Sequence, residues 1–159
     1  MGNATFRLTG SKTKYQLHST WKHHNDKADM TGKGNEEHFL FQSSILYQSH
    51  NAEIKGKIHF PTATASMQAS FSKFNINQLL PNAPLSLSGK VNAKANLKLN
   101  TLNLTSTLTT PHDSIDIKIN HRRQQWEGTW HVIAPDSHEI SSLLIGRFNS
   151  QGSYHYNHN

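Results

Sequence analysis

The sequence predicts an all-β fold built from long antiparallel strands. Three observations lead there. Apolar and polar residues alternate with period two from one end of the chain to the other. Turn-forming clusters punctuate that alternation, and helical periodicity is scarce.

The alternation is clearest at residues 85–99, where Leu85, Leu87, Gly89, Val91, Ala93, Ala95, Leu97 and Leu99 hold the odd positions and Ser, Asn and Lys the even ones. A helix would smear this pattern around its circumference, whereas a strand sends each set to one face. At ~3.3 Å per residue such a strand would reach ~50 Å. The expectation is therefore a very long strand or a bulge at Gly89.

Taken in order, the other elements read as follows. Phe6 and Leu8 open the pattern, then Tyr15 and Leu17. Phe39 and Phe41 form a pair, followed after a phase change by Ile45 and Tyr47. Ile54, Gly56, Ile58 and Phe60 run up to Pro61, and Ala63, Ala65, Met67, Ala69 and Phe71 follow. Leu102 and Leu104, the set Ile115, Ile117 and Ile119, then Trp126, Trp130 and Val132 continue it. Tyr154 and Tyr156 close the chain. Turns are expected at 24–26, 32–35, 49–51, 111–113 and 134–136, where Gly, Asn, Asp, Pro and His gather. About ten strands joined by such short connections must be antiparallel, because parallel crossovers need ~12 or more residues. Helical turns are expected only near 76–80, where Pro81 stops the chain, and near 138–144.

Composition narrows the function. Only 34% of the 159 residues are apolar and 16% are charged, and Ser, Thr and Asn fill the difference. No apolar run approaches a membrane helix. The chain has no Cys, which excludes disulfides, thiol catalysis and Cys-ligated metal. The net charge of +6 raises anionic partners. Along the sequence, however, the cations are spread, and Arg122-Arg123 is the one adjacent pair. No nucleic-acid partner is expected on that ground. The twelve His show no metal-ligand spacing: His23-His24, His121 with His131 and His155 with His158 lack an H-E-x-x-H geometry, and neighbours on a strand face opposite ways. No catalytic motif is present, and Asp113 and Asp116 differ in parity. The expectation is no enzyme, no cofactor and no metal.

A weak internal repeat links 76–100 with 140–159. Ile76, Leu79 and Leu80 match Ile140, Leu143 and Leu144, and each group leads to a strand containing Gly89 or Gly152. The unit suggests an extended array, with 1–159 a single all-β segment of a longer repeat protein. The run Phe74-Asn75-Ile76-Asn77-Gln78-Leu79-Leu80-Pro81 followed by Leu85-Ser86-Leu87-Ser88-Gly89-Lys90-Val91-Asn92-Ala93 resembles the repeating segments of the AsmA-like superfamily. Within it, the likeness is to the TamB-like inner-membrane component of the translocation and assembly module. The resemblance implies a curved, elongated, taco-like sheet in the periplasm, whose groove carries phospholipid between inner and outer membranes or aids outer-membrane protein assembly. Anchoring to the inner membrane would fall to parts of a longer chain. The family's N-terminal anchor and C-terminal region have no counterpart here.

The residues suggest such a groove independently. Nearly all the apolar content falls on one parity, so it can line one continuous face rather than fill a ball. Much of that face is Ala and Gly, which leaves room for an acyl chain or for bulky partners on a facing sheet. The expected lipid-contact residues are Ile54, Ile58, Phe60, Met67, Phe71, Leu85, Leu87, Val91, Ala93, Ala95, Leu97, Leu99, Ile115, Ile117 and Ile119. The alternatives are a self-contained β-sandwich or barrel serving adhesion or scaffolding, and an outer-membrane barrel, against which the alanines argue.

Overall fold

A computed structural model describes residues 2–47, 50–75, 86–135 and 146–157. They form eleven strands: β1 (Asn3–Ser11), β2 (Lys14–His23), β3 (Asp26–Gly34), β4 (His38–Tyr47), β5 (His50–His59), β6 (Thr64–Asn75), β7 (Ser86–Asn96), β8 (Thr101–Thr109), β9 (Ser114–Arg122), β10 (Gln125–Ala134) and β11 (Phe148–Asn157). All belong to one antiparallel sheet whose spatial order is the sequence order, β1 to β11. Each strand pairs with its chain neighbours, and β1 and β11 are its two edges. The expected helical turns near 76–80 and 138–144 lie outside the described residues.

Tight hairpins set this topology. Ser11 pairs with Lys14, His23 with Asp26, and Arg122 with Gln125, which leaves two-residue turns. His24 and Arg123 take left-handed φ values of 54° and 59° in those turns, as hairpin geometry requires. Asn35 organises the β3–β4 turn, its side-chain oxygen accepting from the Glu37 and His38 backbone N–H groups at 2.9 and 2.8 Å.

The strand boundaries correct four readings of the sequence. First, 26–34 is a full strand, although Gly32-Lys33-Gly34-Asn35 reads as a turn. Its glycines are not there for a bend: a Cβ on Gly32 would collide with the Phe39 ring, and one on Gly34 would meet the Tyr15 ring at 2.6–2.7 Å. Second, Phe39, Phe41, Ser43, Ile45 and Tyr47 share one parity within β4. No phase change occurs, and Ser43 donates to the Asp29 carbonyl at 3.0 Å. Third, β7 ends at Asn96, where the Asn96 side chain accepts from Leu99 N–H at 3.0 Å and Leu97–Asn100 turns the chain. Gly89 pairs regularly with Phe71, and the bulge lies across from it on β6. There Ser72 and Lys73 together face Ser88. Lys73 has a φ of 52° and donates its N–H to Ser88 Oγ at 3.0 Å. Fourth, Ala63 belongs to the preceding turn, with a φ of 52°.

The sheet is a single layer among the described residues. Ala134 is their one fully buried apolar residue. The chain exposes 11270 Å², whereas a compact protein of its 18.0 kDa exposes about 8,000 Å². The handed twist of adjacent strands, ~20° each, accumulates over so many strands into a strongly twisted sheet.

Candidate functional site

Partners in a ladder share a face, so the registers define cross-strand rows. One row runs Phe6, Ser19, Met30, Ser43, Ile54, Ala69, Val91, Ser106, Ile117, Trp130, Gly152. Its neighbour runs Leu8, Leu17, Gly32, Phe41, Gly56, Met67, Ala93, Leu104, Ile119, Gly128, Tyr154. A third joins Tyr15 through Phe39, Ile58, Ala65, Ala95 and Leu102 to Trp126 and Tyr156. A fourth joins Trp21 through Ile45, Ala52, Phe71, Gly89 and Leu108 to Ile115 and Val132. These four rows make one apolar face. The intervening rows hold Lys, Arg, His, Asp, Glu, Asn, Gln, Ser and Thr, with Leu40, Leu46 and Ile133 as apolar exceptions.

The structure gathers most of the expected contact residues. Ile54, Ile58, Met67, Phe71, Val91, Ala93, Ala95, Ile115, Ile117 and Ile119 all stand on the apolar face, and Leu87 precedes Gly89 in the same alternation. Phe60, Leu97 and Leu99 instead lie in the turns after β5 and β7, 45%, 76% and 65% exposed. Leu85 lies outside the described residues. Sequence reasoning missed Met30 with its strand, and left out Phe39, Phe41, Leu104, Leu108 and Trp130. Their alternation was visible, but its continuity with the central strands rests on hairpin register.

The face is smooth because rings lie over glycines. The Phe41 ring occupies the place a Cβ on Gly56 would take, and Tyr154 does the same at Gly128 and Trp130 at Gly152. Tyr15 and Phe39, two strands apart, close over the glycines of β3 until their ring centroids are 6.0 Å apart. Phe39 then stacks on Phe41 at 6.0 Å. On the far side, His121 and Trp126 are 4.2 Å apart. Between these flanks, β6 and β7 set Ala65 opposite Ala95 and Met67 opposite Ala93. Four rows across eleven strands cover an area on the order of 1,000 Å² at ~4.8 Å between strands and ~6.8 Å between rows, above the ~300–600 Å² of the largest apolar patch on a typical monomer.

The polar face is rough by contrast. Open depressions of about 880 Å³ to about 310 Å³ lie between its side chains. Among the described residues no group of three His, Asp or Glu converges on a metal-sized site. No protein-family model, curated protein or solved structure matches the chain.

Proposed function

We propose that the chain forms a wall of a non-enzymatic acyl-chain conduit in the periplasm, as its resemblance to AsmA-like, TamB-like segments implies. Phospholipid tails would lie against the apolar face, either in transit between the inner and outer membranes or while outer-membrane proteins assemble. One observation supports this reading above the others: a continuous apolar face across eleven strands with no second layer on it among the described residues. Contact with hydrocarbon would contribute ~25 cal/mol per Å² covered. A smooth surface of rings and methyl groups holds a fluid tail without demanding a particular headgroup, so little headgroup selectivity is expected.

The test is purification under mild conditions, with co-extracted lipid identified by mass spectrometry. Phospholipid is expected with the wild type. Ala93→Lys, which places a charge mid-face while removing almost no packing, is expected to lower its yield at least fivefold with an unchanged circular dichroism spectrum. A lipid-free protein that scatters as a compact particle would overturn the conduit and favour a self-contained adhesion or scaffold domain.

A further inference from the structure

The polar face gathers charge that the sequence disperses. Two adjacent rows are concerned. The first runs Arg7, His18, Thr31, Gln42, Lys55, Gln68, Asn92, Thr105, Lys118 from β1 to β9. The second runs Thr9, Gln16, Lys33, Leu40, Lys57, Ser66, Lys94, Asn103, Asn120 over the same strands. Neither row holds an acidic residue before Glu127 on β10. The nearby carboxylates Asp29, Glu53 and Asp116 stand together in the next row. Asp29 pairs with Lys27 outside the band, and Asp116 accepts from Thr107 Oγ1 at 2.7 Å. Glu53 alone reaches a band residue, Lys55, at 3.6 Å.

Within the band the Lys and Arg residues fall on alternate strands: Arg7 on β1, Lys33 on β3, Lys55 and Lys57 on β5, Lys94 on β7 and Lys118 on β9. The strands between them present amides, hydroxyls, the His18 ring and one apolar side chain, Leu40. A depression of about 880 Å³ sits on this band between Arg7, His18, Lys33 and Lys55, with Gln16 and Gln42 in its lining and no acidic residue. A second depression, of about 450 Å³, continues it beneath Lys57 and Lys94, again without an acid.

We infer that this band binds a linear anionic polysaccharide with one acidic group per disaccharide. Two strand spacings put successive cations ~10 Å apart, about the length of one disaccharide in an extended chain. The amides and hydroxyls between them suit sugar hydroxyls, which need donors and acceptors at close intervals. A nucleic-acid strand fits less well. It carries a charge every ~3.4 Å, about three times as densely as the band. Its bases also want aromatic platforms, and from β1 to β9 the two rows contain no Phe, Tyr or Trp. The inference concerns the face opposite the proposed lipid surface and does not depend on it.

The test measures binding of a fluorescein-labelled hyaluronan oligosaccharide by anisotropy at low salt, beside polygalacturonate, which is acidic at every sugar, and a labelled oligo-dT. Hyaluronan is expected to bind at least as tightly as polygalacturonate despite its lower charge density, and more tightly than oligo-dT. Lys33→Gln/Lys55→Gln/Lys94→Gln is expected to weaken hyaluronan binding at least tenfold, and the matching Lys→Arg triple to retain it. Lys12→Gln/Lys22→Gln/Lys73→Gln removes the same charge outside the band and is expected to weaken it less than threefold. Equal losses in the two Gln triples would mean that net charge alone attracts the polymer, and would overturn the band. Affinity that simply rises with charge density, tighter binding of oligo-dT, or no polysaccharide binding would each overturn the ligand class.

Discussion

The flanks and the centre of the apolar face reach a similar flatness by opposite means. In β2–β5 and β10–β11 large rings lie down over glycines of neighbouring strands, Phe41 over Gly56, Tyr154 over Gly128 and Trp130 over Gly152. In β6 and β7 the middle of the face is mostly small, with Ala65 facing Ala95 and Met67 facing Ala93, and a ring meets a glycine at one end alone, Phe71 at Gly89. The flanks are interlocked, because each ring occupies a neighbour's missing side chain. The centre sets methyl group against methyl group, Ala65 against Ala95. Stability should therefore be concentrated in the flanks, and room for a guest in the centre.

The largest expected effect breaks the interlock. Gly56→Val or Gly128→Val places a branched side chain where a ring now lies, and the ring must swing out over the sheet. Overpacking of this kind costs about 1–3 kcal/mol, against a small gain in strand propensity. Urea unfolding should show a lowered midpoint for both variants. If both are neutral, the rings are not held over the glycines.

Similar in size is removal of a ring. Buried Trp→Ala changes cost ~3–5 kcal/mol, but Trp130 is 37% exposed, so about 2 kcal/mol is the expected loss. Trp130→Ala also bares Gly152 in an edge strand. Amide exchange should therefore quicken in β11 well before it does in β6, since each strand leans chiefly on its chain neighbours. Uniform acceleration across the sheet would show that the flank and centre are one cooperative unit.

These glycines also mark what sequence reading misses. Period two fixed the class of fold and the face of Val91 or Ile117, because a strand leaves each side chain only two choices. It failed at β3, where Gly32 and Gly34 look like turn residues and only the reach of Tyr15 and Phe39 from the strands on either side explains them. It overran β7 at Leu97 and Leu99, whose parity is right although Asn96 caps the chain into a turn. The bulge sat one strand away from its expected place at Gly89, since a bulge is a property of a pair and the sequence displays single strands. The cationic band was invisible for the same reason. Arg7, Lys33, Lys55 and Lys94 are far apart along the chain, and only successive hairpin registers align them.

The smallest expected effect on stability sharpens the comparison from the centre. Ala93→Val adds two methyl groups where the facing residue is the flexible Met67 and the next strand offers Leu104. Met adapts readily to a neighbour's bulk, and Val favours strands, so the urea midpoint should move by no more than ~0.5 kcal/mol equivalent. The same substitution narrows the space between the flanks, and co-purified phospholipid is expected to fall by about half if tails rest there. Gly56→Val should show the reverse balance, with a clear loss of stability and lipid yield per folded molecule near that of the wild type. If Ala93→Val leaves lipid yield untouched while Gly56→Val lowers it, the guest lies on the aromatic flanks, and the alanines of β6 and β7 serve the sheet alone.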